Sequence, residues 1–447
     1  MKRISVILTI AGSDSGGGAG IEADIKTIAC LGLHPACAVT SVTAQNTTGV
    51  LDACDIPGEF ICKQIDAVCG DMKIKWAKSG MLSSAEITSA VASMVKKYGL
   101  KLVVDPVMAA EAGGDLLCKD AVSTLKEELL PVSEVVTPNI NEASILSGIQ
   151  INDVESAKEA AKIISMNGVR FVIVTGGHLD ASDIIYDAEK DTYTIIPGTF
   201  IKGGTHGSGC TYSAALASFL AQGYGIEEAA KGAKGFVVEA IKGSVPVGKG
   251  AGPVNQLSGI LHNSERYKVL ENVKEGVRIL TDCRDFAALT PEVGCNIAMA
   301  VKGAESIRDV AAVTGRIVRV KGKVVAVGDI DFDASSHVAR IVLTAMEHDA
   351  SCRAAVNIMY CESVLEICRE LGLDIASFSR EEEPQGVHTM DWGTSEAIKT
   401  HGRVPDIIYD IGGFGKEAMI RVTGHDAKEV ANLAVRIARR HAGLQRQ

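Results

Sequence analysis

The residues best placed to do chemistry fall in a few short runs. Gly207-Ser208-Gly209-Cys210 opens the helix-period segment Ser208 to Gln222. Flexible N–H groups at the positive end of a helix make a pocket for a migrating phosphoryl group, with the Cys210 side chain facing it. Without its Gly neighbours, Cys210 reads as one more buried thiol among twelve. A second run, Ala11-Gly12-Ser13-Asp14-Ser15-Gly16-Gly17-Gly18-Ala19-Gly20, joins a strand to a helix and is expected to expose backbone N–H groups to an anionic or polar ligand. It has neither the Lys of a Walker A loop nor the G-x-G-x-x-G spacing of a dinucleotide fold. Asn139 and Glu142 have the spacing of a helix-capping pair. Farther on, Arg316 and Arg319 sit at i and i+3 of a strand, on opposite faces, so at most one points into a given pocket. His337 and Arg340 have the same spacing on a helix and therefore share a face. Glu381-Glu382-Glu383 reads as a solvated charge run, with a magnesium role as the alternative.

These residues need elements to hold them. From residue 3 to about 242, β-branched runs (Ile4 to Ile10, Ala36 to Val42, Leu102 to Val104, Val135-Val136, Phe171 to Val174) alternate with amphipathic segments. The amphipathic segments are Ala19 to Leu31, Ser84 to Lys97, Val154 to Met166, Ser208 to Gln222 and Ile226 to Lys242. Such alternation predicts a parallel sheet covered by helices, with ligands outside the carboxyl ends of the strands. Those ends carry Ala11-Gly12-Ser13, Gln45-Asn46, Asp105-Pro106, Thr137-Pro138-Asn139 and Thr175-Gly176-Gly177. The tract Gly243 to Pro253 breaks the pattern, and Asn263 to Leu280 offers a helix that carries the chain onward, so a boundary is expected near residue 262. Residues 263–447 have their own strands and helices, and Lys321-Gly322-Lys323 between two strands signals a hairpin, so a second, mixed α/β domain is expected.

Composition narrows the function. The chain of 447 residues is long enough for two or three domains, and 47% hydrophobic with 22% charged residues excludes disorder. With 45 Lys and Arg against 55 Asp and Glu, the net charge of −10 repels phosphate backbones and anionic lipid, so nucleic acid is not expected as a partner. No apolar run is long enough to span a membrane. Twelve Cys without a C-x-x-C pair read as reduced thiols of a cytoplasmic protein.

Seven stretches in the first part carry a specific resemblance: Ala11 to Lys26, Thr43 to Thr47, Lys78 to Leu82, Asp105 to Met108, Thr137 to Asn139, Gly176 to His178 and Thr205 to Ala215. Together and in this order they resemble the hydroxymethylpyrimidine and hydroxymethylpyrimidine-phosphate kinases of the ribokinase superfamily. The resemblance implies a ribokinase-like, mostly parallel sheet over residues 1–262, with ATP and Mg2+ as cofactors. It implies that Gln45 contacts the pyrimidine, an amide offering the ring edge both a donor and an acceptor. Gly12, Asp24 and Met81 match positions lining the same pocket. Asn139 and Glu142 correspond to an N-x-x-E element that positions magnesium and phosphates, Glu142 being the metal candidate, and Asp105 matches the nucleotide side. Cys210, between Gly207, Gly209 and the helix, replaces the Asp of many sugar kinases, and a thiol there is expected to have a lowered pKa and to accept or position the substrate hydroxyl. The family usually has Lys before Gly-Gly-His, where this chain has Thr175; Lys202 is expected to supply the missing phosphate contact.

From Asn263 onward the chain resembles the archaeal-type thiamine-phosphate synthase domain. The carrying stretches are Gly315 to Val320, Ser336 to Met346, Trp392 to Thr394, and Pro405 to Asp410 with Gly415-Lys416-Glu417. This resemblance implies displacement of pyrophosphate from hydroxymethylpyrimidine pyrophosphate by a thiazole phosphate. Two anionic groups must then be held. Arg316, His337, Arg340 and Lys416 are the expected contacts. The joint expectation is a bifunctional enzyme of thiamine biosynthesis acting on small molecules, with a homo-oligomer allowed. The rival is a vitamin B6 kinase fused to a non-catalytic domain that senses thiamine phosphates.

Overall fold

Consecutive residues Leu102, Val103 and Val104 are all buried. Leu102 and Val104 pack into one apolar cluster and Val103 into another, because successive strand side chains point to opposite faces. This strand lies inside a sheet covered on both sides, the condition that makes parallel strands continuous apolar runs. The computed structural model describes residues 4–108, 119–176, 180–384, 389–413 and 416–445, without the side chains of Lys119 and Glu381. It divides into two units, Met1–Ile260 and Leu261–Gln447.

Among the described residues of the first unit, nine strands form one sheet. The central strands Val6–Asp14, His34–Asn46, Ile74–Ser79, Lys101–Val104, Val135–Val136 and Phe171–Val174 run parallel. Antiparallel strands close both edges: Gly49–Asp55 on one side, Asp183–Asp187 and Thr192–Ile196 on the other. Helices Gly58–Asp71, Ala85–Tyr98 and Val154–Ser165 cover one face. Ser208–Gln222 and Ile226–Lys242 cover the other. The first strand does not end at Ala11, as expected, but pairs as far as Asp14 with Thr43 across a register shift. The Gly-bearing tract after Lys242 is docked on this unit: Val254 N–H donates to the His206 carbonyl and Asn255 N–H to that of Ala240.

The second unit is mixed α/β, as expected. Among the described residues its main sheet orders seven strands, of which only Ile375–Ser377 with Ile407–Asp410 is a parallel pair. A separate hairpin joins Arg316–Val320 to Lys323–Val327 through Lys321 and Gly322, both at positive φ (49° and 74°), the geometry of a two-residue hairpin turn. The entering helix is longer than expected, Ser258–Asp282, so the expected boundary at 262 falls inside it. Helices Ser336–His348 and Thr389–His401 pack on the sheet. Among the described residues, no helix is long and apolar enough to cross a membrane.

Candidate active sites

Lys78 is the last residue but one of the strand Ile74–Ser79, and its side chain is fully buried. A buried ammonium requires partners. Lys78 Nζ lies 3.0 and 2.9 Å from the two oxygens of Asp24 and 3.7 Å from Asp105. Thr9 Oγ1 donates to Asp24 at 2.6 Å. Asp24 is therefore not a surface acid but a buried counter-ion of Lys78. Burial pushes its carboxyl up despite the Lys78 charge.

Asp105 links this pair to the rest of the site. Ser213, one turn into the helix that Cys210 helps to start, donates to Asp105 at 3.1 Å. Glu142, 8% exposed, is pushed up to about 8, first by burial and then by the Asp105 charge. Asn139 and Glu142 make a reciprocal capping box, each N–H donating to the other's side chain at 2.9 Å. Two buried, mutually repelling carboxyl groups suit a divalent cation that arrives with phosphate oxygens, since Mg2+ typically takes one or two carboxylates and completes its shell with substrate and water. Among the described residues, no cluster of three acidic, Cys or His ligands forms a closed metal cage.

Cys210 stands over the same charges, but its expected pKa is wrong in sign. Burial, with Asp105 and Asp24 adding to it against Lys78, pushes the thiol up to about 12. Cys210 rests as a neutral thiol, because loss of solvation and two carboxylates outweigh the helix end. Gly207 is required where it stands: at φ 81°, a Cβ there would lie 1.9 Å from the Gly18 carbonyl oxygen. Gly209, by contrast, faces open space.

The Gly-rich loop 11–20 is not the expected anion cradle. The Asp14 carboxylate accepts from the N–H groups of Gly16, Gly18 and Ala19 at 2.7–2.9 Å and lies 3.1 Å from His206 Nε2. Although burial opposes it, these hydrogen bonds hold Asp14 at about 2. An internal anion thus occupies the donors. What the loop provides instead is shape: a Cβ on Gly12 would meet Met81 Cε at 2.5 Å, so these two are neighbours as expected. Gln45, half-buried, stands beside Thr43, whose hydroxyl donates to the Ser13 carbonyl. Lys202 is exposed. The cation beside Gly176 is Lys234, whose ammonium lies 2.9 Å from Asp183, the acceptor for the Gly176 N–H. Gly177 and His178 lie outside the described residues.

In the second unit, Arg421 interrupts the apolar strand Met419–Gly424 and is fully buried. It donates to Asp410 at 2.7 Å, and Arg380 grips the same carboxylate through Nε and Nη2 at 2.5 and 3.1 Å. Asp410 is lowered accordingly, its hydrogen bonds to both arginines overcoming burial. His337, on the first turn of its helix, is exposed, and its imidazole is held down at about 4 by partial loss of solvation and then by the charges of Arg421, Arg380 and Arg316. Arg316 is exposed and acts on His337 through its charge, while its Nη1 donates to the Val293 carbonyl. Lys416 pairs with Glu383 at 3.2 Å, so this end of the Glu run is not merely solvated. Gly415 and the Glu381 side chain are outside the described residues. Arg340 departs from expectation: it pairs with Asp391 at 2.7 Å and lines an open groove of about 750 Å³ with Glu305, Glu347 and Glu396, whose acids disfavour an anion. Lys78, Arg380 and Arg421 were not singled out from sequence. For Lys78 and Arg421 the available signal was a cation inside an apolar strand, which burial obliges to be paired; Arg380, in a short turn, carried no such signal.

Residues 14–255 match the phosphomethylpyrimidine kinase family and residues 272–436 the thiamine-phosphate synthase ThiN family. The bifunctional thiamine biosynthesis protein ThiDN of Methanocaldococcus jannaschii is 36% identical over 95% of this chain and 96% of its own. The chain belongs to this bifunctional family. The hydroxymethylpyrimidine/phosphomethylpyrimidine kinase of Haemophilus influenzae is 45% identical over 57% of this chain and 97% of its own. Among solved structures, the ADP complex of Bacillus subtilis pyridoxal kinase is similar at 35% identity, with a TM-score of 0.54, covering 58% of this chain and 100% of that one.

Within this family frame, Gln45→Ala should weaken pyrimidine binding about tenfold, the loss of one or two hydrogen bonds, without changing ATP affinity. Titration with each ligand separately checks it, and equal losses for both would withdraw Gln45 as a ring contact.

Proposed function

We propose that the first unit phosphorylates 4-amino-5-hydroxymethyl-2-methylpyrimidine with ATP, then phosphorylates the monophosphate. The second unit joins the resulting pyrophosphate to thiazole phosphate, making thiamine phosphate and releasing pyrophosphate. The observation that carries this reading is one bifunctional relative matched across both units, each unit holding its own buried charge cluster. The kinase is assigned to residues 1–262 and the synthase to 263–447. The same reading places the enzyme in the cytoplasm, with small molecules as partners and a homo-oligomer compatible with it.

In the kinase, first-turn N–H groups of the helix at Gly209 and Cys210, which a helix cannot satisfy internally, face the transferring phosphoryl group. Lys78 and Asp105 set the charge beneath them. A neutral Cys210 thiol suits this chemistry: a loose phosphoryl-transfer transition state asks for positioning and charge stabilisation more than for early removal of the hydroxyl proton. Cys210 then orients the hydroxymethyl oxygen. Asn139, Glu142 and Asp105 are the residues that would hold Mg2+ with the nucleotide; the ion would neutralise phosphate charge there, with Glu142 binding it as the carboxylate. Lys202 remains the proposed phosphate contact, with Lys234 nearer the Gly176 turn. In the synthase, Arg316, His337 and Lys416 hold the anionic ends of the two substrates.

The test is a single reaction of the purified full chain with hydroxymethylpyrimidine, thiazole phosphate, ATP and Mg2+, with product identification. Thiamine phosphate is expected; its absence, with pyridoxal phosphorylated instead, would establish the vitamin B6 alternative. Cys210→Ala should lower kinase turnover on the order of a hundredfold with little change in KM, as for a group acting in the transition state. Unchanged turnover would reassign Cys210 to packing.

A further inference from the structure

Arg380 carries no role in the reading above, although its setting is built. Its guanidinium takes Asp410 fork on fork, and its side chain is only 9% exposed while that of Asp410 is fully buried. Asp410 is held from three further directions: by Arg421 at 2.7 Å, by the Gly412 N–H at 2.8 Å and by its place at the end of a sheet strand. Arg421 is itself enclosed, its Nε buried without a hydrogen-bond partner. It donates to the Met419 carbonyl at 3.2 Å, lies over the Phe378 ring at 5.2 Å and has no accessible surface.

One carboxylate neutralises one guanidinium. Two arginines on Asp410 therefore leave one uncompensated positive charge in a nearly closed place, which is costly unless a ligand anion completes it. Of the two arginines, only Arg380 can reach that anion. Asp410 occupies its Nε and Nη2, and among the described residues nothing takes its Nη1 group. His337 lies within the electrostatic reach of both Arg380 and Arg316, and Glu383, within reach of Arg380, pairs with Lys416 at 3.2 Å. A planar guanidinium locked along one edge and free along the other is pre-organised for a tetrahedral phosphate.

We propose that Arg380 binds a phosphate group of a synthase substrate through its free edge, and that Asp410, propped by Arg421, is the positioning residue that aims it. The proposal rests on the synthase reading. Two sources fit the chemistry, the pyrophosphoryl end of the pyrimidine and the phosphate of the thiazole.

The experiment uses the full chain, supplied with preformed hydroxymethylpyrimidine pyrophosphate and thiazole phosphate so that the kinase is bypassed. Arg380→Ala should raise the KM of one of the two substrates about tenfold or more, the loss of a charge-assisted hydrogen bond, with the other KM and the kinase reaction unchanged. If the pyrimidine pyrophosphate is the source, binding of inorganic pyrophosphate should weaken in parallel, measured calorimetrically with the kinase site saturated by a non-hydrolysable ATP analogue. If the thiazole phosphate is the source, binding of inorganic phosphate should weaken instead. Arg380→Lys should restore little, because an ammonium cannot hold Asp410 along one edge and phosphate along the other. Asp410→Asn, if still folded by thermal melting, should raise the same KM. Both KM values unmoved in Arg380→Ala, whether or not kcat falls, would overturn the proposal. Failure of the synthase reading is separate: the unaltered chain would then make no thiamine phosphate from the two supplied substrates.

Discussion

Lys78→Met is expected to destabilise the first unit by roughly 3–5 kcal/mol, the usual result of removing one partner from a buried ion pair, and to abolish kinase turnover. The substitution keeps the volume but leaves Asp24, fully buried, and Asp105, 5% exposed, without their shared cation. Both carboxyl groups then favour their neutral forms, so their folded pKa values rise. Stability they contribute is present at acid pH and lost as pH climbs through those raised values. The variant should therefore melt highest near pH 4 and progressively lower toward pH 8. In the parent, Lys78 is itself held well above its usual range by Asp24 and the neighbouring anions, against burial; its stabilisation is complete across the neutral range and is lost only in strong alkali. Thermal melting across pH, beside separate assays of the two reactions, checks this. Synthesis of thiamine phosphate from preformed pyrimidine pyrophosphate should persist. Adding Asp24→Asn should recover much of the stability, since removing both partners costs less than removing one, but not the turnover, because the charge beneath Cys210 and Asp105 is still missing. A single variant that melts and turns over like the parent would show the pair to be dispensable.

The second large effect is at His337. His337→Ala in the intact chain should lower thiamine phosphate formation on the order of a hundredfold or more, while the kinase continues and the pyrimidine pyrophosphate accumulates. Because its imidazole is held at about 4, His337 is neutral at pH 7 and acts as a directional hydrogen-bonding group among cations rather than as a cation itself. The synthase rate should thus show no limb near pH 6.5. A depressed histidine stabilises the fold above its unfolded value near 6.5, and that contribution falls away as pH drops through 4; the variant should lack this acid loss. Product analysis and pH profiles provide the check. Loss of the kinase reaction in a folded His337→Ala chain would replace two independent sites by a shared one.

What the sequence by itself determined is what neighbours along the chain decide. The strand–helix alternation, the helix opening at Ser208 and the hairpin at Lys321-Gly322 each depend on residues within a few positions. The Asn139–Glu142 pairing is likewise local: it is a capping box before it is anything else. The tertiary structure decided which of the singled-out residues share a site and what charge they carry there. Asp24 meets Lys78 across 54 positions and Asp14 meets His206 across 192. No local pattern encodes such meetings, because the sheet order brings them about. Arg340 has the spacing to join His337, yet it is claimed by Asp391, 51 positions away on another helix. Protonation is decided last and least locally. A helix N-terminus alone argues for a lowered Cys210 pKa, but burial and two carboxylates from distant strands and helices reverse it, since desolvation acts at full strength on a charge while the partial charge of a helix end is small.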